Sequence, residues 1–255
     1  MAVRRRTPTD QQTINGRLQQ AILPAPPSVP EVNGMRVAVR CMGADRTVQV
    51  GGDWYLTAAL PGGDLVLAVG DVGGHGLAAT PSMVLLRHTM EAFAIEGRTP
   101  NEILAGLNSL LCKQATGTLA TAVVACYHPG TGQLTWARAG HLPILRACHD
   151  GVERLSQPAG TALGVLPDGG YGSATTTLRA GDVVLMYTDG FVERPGTSID
   201  DGVQALGDQV RDALHDGSAH RPSDIVDRLR RRNPHDDACA LAAESLPQEA
   251  FTRPG

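Results

Sequence analysis

Apolar positions along this chain recur with two different periods, and the switches between them mark out short strands and paired helices. Met35, Val37, Val39 and Cys41 alternate with Arg36, Ala38 and Arg40, the period of a half-buried strand. Residues 53–60 and 64–70 read as two further strands joined by Pro61-Gly62-Gly63, a hairpin signal. Residues 77–96 then take the helical period, with Met83, Leu86, Met90 and Phe93 on one face. A second helix starts at Thr99 as N-cap, with Pro100 in the first turn and Glu102 at N3. Its apolar positions are Ile103, Leu104, Leu107, Leu110 and Leu111.

A dense β region follows. Strands at 119–127 and 133–139 flank the turn His128-Pro129-Gly130-Thr131-Gly132. Shorter strands are predicted near 143–147, 152–155, 174–178 and 182–188, helices over 202–214 and 222–231, and a last strand over 237–243. Antiparallel hairpins with helices in pairs favour a layered α+β fold over a doubly wound parallel sheet.

The N-terminal stretch differs. Thr9 and Gln12 have capping-box spacing, and Ile14, Leu18 and Ile22 form one apolar stripe over a predicted helix at 9–23 that Pro24 ends. A stiff segment, Pro24-Ala25-Pro26-Pro27-Ser28-Val29-Pro30, leads on from it. So short a helix is marginal unless its stripe is buried. The stripe packs on the chain's own core, or it couples to a sensor protein or a second copy. Residues 1–30 therefore read as a lead-in, 31–246 as the main domain and 247–255 as a disordered tail.

Composition narrows the classes. The 255 residues suit one large domain. Hydrophobic residues make up 42% but aromatics only 4%, so the core must rest on Val, Leu, Ile and Ala. A net charge of −4 gives no basic excess of the kind a nucleic-acid binder carries. Five scattered cysteines with no CxxC pair argue for free, buried thiols in a reducing compartment and against zinc. No apolar stretch approaches the ~18 residues that cross a bilayer, and the Arg4-Arg5-Arg6 start has no apolar run after it to make a signal peptide. The expected compartment is the cytoplasm, with no membrane and no nucleic-acid partner.

Candidate chemistry lies in the aspartates. Asp53 sits in Val50-Gly51-Gly52-Asp53-Trp54-Tyr55, and Asp71 ends an apolar run and opens Asp71-Val72-Gly73-Gly74-His75-Gly76. Asp189 follows Val183-Val184-Leu185-Met186-Tyr187-Thr188, and Asp236-Asp237 open the last strand. Each alone reads as a turn, because Asp and Gly dominate turns. Together they place carboxylates at strand ends, where converging charges repel unless a cation lies between them. Oxygen ligands select Mg²⁺, Mn²⁺ or Ca²⁺. A pair of such ions activates a shared water for attack on phosphorus. The glycines let the backbone approach a ligand, so the Val72 carbonyl is a further candidate ligand and His75 a candidate proton donor. His141, in Ala139-Gly140-His141, reads as a satisfied structural histidine, and Arg230-Arg231-Arg232 as a solvated helix end.

These four motifs, in this order and spacing, resemble the bacterial PPM (PP2C-like) serine/threonine phosphatases of the stage II sporulation E and sigma-B-regulator type. Tyr187-Thr188-Asp189-Gly190-Phe191-Val192-Glu193, Ala139-Gly140-His141 and the lead-in Ile22-Leu23-Pro24 belong to the same likeness, which covers roughly residues 15–245. The resemblance implies an αββα sandwich, two antiparallel sheets flanked by helix pairs, holding two Mn²⁺ or Mg²⁺ ions at one end. It implies that Asp71 and the Val72 carbonyl are metal ligands, with Asp53, Asp189 and Asp236 completing the shells and Asp237 orienting its neighbours. The implied substrate is a phosphoserine or phosphothreonine on an anti-sigma-factor antagonist. The phosphate-gripping arginine of eukaryotic relatives has no assignable match.

Other readings keep the same residues. A docking module that binds sigma-regulatory proteins without turnover retains the fold. Hydrolysis of a small phosphate ester uses the same site, and a calcium-stabilised structural protein uses the same ligands.

Overall fold

The computed structural model describes residues 31–43, 51–74, 78–114, 117–215, 221–233 and 236–247. The predicted helix at 9–23, the proline-rich lead-in, His75 and the tail lie outside these residues. The strands are β1 (Glu31–Val32), β2 (Met35–Met42), β3 (Asp53–Ala59), β4 (Leu65–Val72), β5 (Ala120–His128) and β6 (Gln133–Ala139), then β7 (Ile144–Cys148), β8 (Gly151–Leu155), β9 (Ala174–Thr177), β10 (Val183–Tyr187) and β11 (Ala238–Ser245). The helices are α1 (Thr80–Ile95), α2 (Pro100–Gln114), α3 (Ile199–His215) and α4 (Pro222–Arg228).

Two antiparallel sheets result. One runs β1-β2-β11-β10-β7-β8, the other β3-β4-β5-β6-β9. Their central strands are buried on both faces, which explains runs that read as continuous rather than alternating. Along β4, Leu65, Leu67 and Val69 face the other sheet, while Val66, Ala68 and Val72 meet α1 and α2. Along β11, Cys239, Leu241 and Ala243 face inward, and Ala238, Ala240 and Ala242 lie under α3 and α4. The order is therefore helix pair, sheet, sheet, helix pair. Each fully buried Leu or Met in the three apolar clusters between these four layers contributes roughly 1.5–3 kcal/mol relative to exposure.

Local chemistry sets the element ends. The Glu102 carboxylate accepts from the Thr99 N–H at 2.9 Å and the Thr99 hydroxyl at 2.7 Å, so α2 starts where the sequence predicts. The helix read as 202–214 begins earlier, at Ile199, because Ser198 and Asp201 bond reciprocally across its first turn. The helix read as 222–231 stops at Arg228. Here Arg40 of β2 donates to the carbonyls of Val226, Asp227 and Leu229 at 3.0, 2.8 and 3.1 Å, closing the helix end from outside. Arg230-Arg231-Arg232 is thus not a helix end but part of an extended connection to β11.

The cysteine expectation also needs correction. Cys41 and Cys239 are directly opposite in the β2–β11 register and are joined as a disulfide. Cys112, Cys126 and Cys148 are free. Separation in sequence conceals a pairing that only strand register creates. No helix among the described residues is long and apolar enough to cross a membrane.

Candidate metal centre

Antiparallel pairing brings the aspartates to one end of the sandwich. In the β3–β4 hairpin Asp53 lies directly opposite Asp71. In the other sheet β10 ends and β11 begins at the same end, with Tyr187 opposite Ala240. Asp189 opens a single 3-10 turn, Asp189–Phe191, immediately after β10, and Asp236-Asp237 immediately precede β11. A pair of hydrogen bonds closes the gap between sheets. The Thr188 hydroxyl donates to Asp53 Oδ2 at 2.6 Å, and the Gly52 N–H donates to Asp237 Oδ2 at 3.1 Å. Thr188 is itself fixed: its N–H donates to the Cys239 carbonyl at 2.9 Å, and its hydroxyl oxygen accepts from the Cys239 N–H at 2.8 Å.

Glycine is required where the backbones meet. A Cβ on Gly51 would stand 1.6 Å from Asp237 Oδ2. A Cβ on Gly52 would stand 2.6 Å from the Val72 carbonyl oxygen and 3.1 Å from Asp71 Oδ1. The Val72 carbonyl and the Asp71 carboxylate thus share one small space beside Gly52. The Val72 N–H meanwhile donates to the Gly52 carbonyl at 3.2 Å.

The electrostatics report the crowding. Burial, followed by the charge of Asp71, holds the Asp53 carboxyl well above the usual carboxylate range, although the Thr188 bond opposes this. Burial and then Asp189 push Asp71 up to about 7; Asp236 and Asp237 add to the rise and a hydrogen bond with Asp53 offsets it. Burial, Asp236 and Glu193 push Asp189 up to about 6. Asp53, Asp71, Asp189, Asp236 and Asp237 therefore feel one another through a single site. Clustered carboxylates under this mutual strain form a donor set that suits a hard divalent cation, which would remove the repulsion that protonation otherwise removes.

Glu193 was not singled out as a ligand by the sequence. Carboxylate oxygens of Asp189, Glu193 and Asp236 all lie within 4.8 Å of one another. The turn after Asp189 brings this about, with the Val192 and Glu193 N–H groups donating to the Asp189 carbonyl at 2.8 and 2.7 Å. Spacing of i, i+4 across Asp189-Gly190-Phe191-Val192-Glu193 was the available signal. Thr188 was likewise missed as the hydroxyl that holds Asp53.

His141 is buried, and both ring nitrogens are engaged. Nδ1 lies 2.7 Å from Thr121 Oγ1 and Nε2 lies 3.1 Å from the Tyr187 carbonyl. Burial, with the nearby Arg138 charge, brings its pKa down to about 4, against the opposing bond to Tyr187. A neutral ring that donates to Tyr187 and accepts from Thr121 joins the two sheets close to the cup, since Thr121 pairs with Asp71. This is the structural histidine that the sequence suggests.

Known proteins are similar to this chain in sequence and fold. The family model described as stage II sporulation protein E (SpoIIE) matches residues 61–245. The phosphoserine phosphatase RsbU of Bacillus subtilis (strain 168) is 27% identical over 129 residues, which is 50% of this chain and 38% of RsbU. The structure of the RsbU and RsbW domains of Rv1364c from Mycobacterium tuberculosis superposes with a TM-score of 0.71 at 29% identity, covering 85% of this chain and 61% of that one. RsbX in complex with magnesium superposes with a TM-score of 0.65 at 18% identity, covering 84% and 96%, a likeness of fold. The chain thus spans less than two thirds of the length of RsbU and of the Rv1364c structure.

Proposed function

Because the chain belongs to the stage II sporulation protein E (SpoIIE) family, we propose that it is a divalent-metal-dependent serine/threonine phosphatase of the cytoplasm that acts on phosphoserine or phosphothreonine of a protein. The observation that carries this reading is the convergence of Asp53, Asp71, Asp189 and Asp236 from four strand ends, with the carboxyls of Asp53, Asp71 and Asp189 driven towards protonation. Similarity to a phosphoserine phosphatase supports the substrate class. An anti-sigma-factor antagonist is the substrate we propose, and the segment at 9–23 is the proposed docking element for a sensor or a second copy.

Asp71 and the Val72 carbonyl, with Asp53, Asp189 and Asp236, are the proposed ligands of two Mn²⁺ or Mg²⁺ ions. Bound there, the ions supply Lewis-acid activation of water and neutralise the phosphoryl oxygens. Asp53 is held by Thr188 so that its carboxylate stays aimed into the cup. Asp237 takes the Gly52 N–H and so fixes the distance between sheets. Glu193 adds negative charge beside Asp189 and Asp236, which strengthens cation binding there. His75 is the proposed donor of a proton to the leaving alkoxide.

The test is hydrolysis of p-nitrophenyl phosphate and a phosphoserine peptide with Mn²⁺, before and after EDTA, in the wild type, Asp71→Asn and Asp189→Asn. Turnover that needs the metal and both aspartates supports the reading. Metal-independent turnover removes it, and peptide binding without hydrolysis favours the docking module.

A further inference from the structure

Next to the acidic cup lies a cavity of the opposite sign. Arg194, Arg228, Arg230, Arg231 and Arg232 line it with Asp212, around a volume of about 810 Å³. Five arginines against one aspartate are concentrated here on a chain whose net charge is −4.

The cavity is joined to the cup by backbone. The N–H groups of Arg232 and Asn233 donate to the Gly190 carbonyl at 2.9 and 3.3 Å, next to Asp189. Arg231 Nη1 donates to the carbonyls of Gly43 and Asp236 at 2.8 and 3.1 Å, so this side chain braces the segment that carries Asp236. Arg194 directly follows Glu193. Buried Leu229 and the Arg40 clamp on α4 hold the start of the run.

By contrast, the guanidinium groups of Arg194, Arg230 and Arg232 have no hydrogen-bond or ion-pair partner among the described residues. Arg194 and Arg230 are exposed. Each guanidinium presents a planar fork of donors that matches a carboxylate. The volume falls in the range of roughly 300–1,000 Å³ that accepts a ligand of many atoms, more than a lone phosphate fills. Arginines supplied from two stretches far apart in sequence, Arg194 and the run 228–232, suit an extended chain with several anionic side chains.

We propose that this pocket binds acidic residues flanking the phosphorylated residue of the protein substrate, so that the arginines select the polypeptide while the aspartates act on its phosphate. The proposal rests on the phosphatase reading and adds the class of sequence the enzyme prefers. It also assigns a role to Arg230-Arg231-Arg232, which the sequence left on a solvated helix end.

Phosphoserine peptides with acidic or basic flanks provide the test, with p-nitrophenyl phosphate as the flank-free substrate of the wild type. The wild type should turn over the acidic peptide with about tenfold higher kcat/KM, because each exposed ion pair is modest and several act together. Arg230→Glu should reverse the preference towards the basic peptide, an inversion that loss of fold does not produce. Fluorescence anisotropy of the labelled acidic peptide on Asp71→Asn, with and without Arg230→Glu, reads docking without turnover. Weaker binding in the doubly substituted protein supports the pocket whether or not hydrolysis is seen. Equal rates on both peptides in the wild type, or a preference that Arg230→Glu leaves intact, overturn the proposal. Equal displacement of the peptide by a single-stranded oligonucleotide also overturns it, because the surface would then be a general anion binder. If p-nitrophenyl phosphate and both peptides resist the wild type with Mn²⁺, the phosphatase reading fails, and the anisotropy result then stands alone.

Discussion

The acidic cup and the arginine cavity share a border but are built on opposite plans. The cup's carboxylates come from strand ends, Asp53 and Asp237 are buried, and a hydroxyl and a backbone N–H hold these two at 2.6 and 3.1 Å. The cavity's arginines follow a turn and a short helix, stand largely in solvent and reach out on long side chains. The chemistry proposed for the cup tolerates little displacement, which suits groups mounted on the sheets. The peptide recognition proposed for the cavity requires reach more than rigidity, which suits groups mounted between elements.

If that contrast is right, damage to the cup should cost far more than damage to the cavity. Asp71→Asn or Asp189→Asn, or EDTA, should lower kcat by about a thousandfold or more, since metal ions supply several kcal/mol and each ~1.4 kcal/mol is tenfold; turnover assays with Mn²⁺ check this. Gly51→Ala changes no chemical group, yet its Cβ would stand 1.6 Å from Asp237 Oδ2. A loss of about a hundredfold is expected with the circular dichroism spectrum retained, because displacement by roughly 1 Å has that cost. Full activity in this variant would show that the cup is more compliant than its packing suggests.

Thr188→Val tests the hydroxyl at similar volume. It removes the bond to buried Asp53, and stability should fall by about 1.5–3 kcal/mol, read by urea denaturation. A pH series separates the two regions further. Asp71 and Asp189 titrate near 7 and 6, above the unfolded carboxylate value of about 4, so between these limits the folded, metal-free protein binds more protons than the unfolded chain. Their contribution to stability is therefore greatest at low pH and falls as pH rises from about 4 to 7. The melting temperature of EDTA-treated protein should decline over that range, and Mn²⁺ should flatten the decline. The smallest effect belongs to the cavity. Raising salt from about 0.05 to 0.5 M should cut kcat/KM for the acidic phosphopeptide several-fold, while p-nitrophenyl phosphate changes little.

The same contrast explains what could be read from residues alone. Asp53, Asp71, Asp189 and Asp236 were legible because each borders an apolar run whose period marks a strand, and antiparallel strands bring their ends together. A layered α+β fold was legible from hairpin signals and paired helices, whereas the sandwich itself came from the resemblance that the four motifs carry. Glu193 was harder, for it depends on one 3-10 turn too short to leave a period. The arginine run was misread because Arg40, far away in sequence, ends α4 after Arg228. Cys41 with Cys239 was misread for a related reason, since only register sets them opposite. Features fixed by contacts between distant segments leave no local pattern.

The place of β11 has a consequence for synthesis. This strand leaves the ribosome after β1 to β10, yet it lies inside its sheet, between β2 and β10. A nascent chain that has reached Tyr187 already carries the hairpin with Asp53 and Asp71, but not the strand that separates β2 from β10. Any product interrupted before Ala238 has an open seam through the middle of that sheet and lacks half of the acidic centre's frame. Translation through Ser245 is thus a precondition for a closed sheet and a complete acidic cup, and chains terminated before Ala238 should be prone to aggregation.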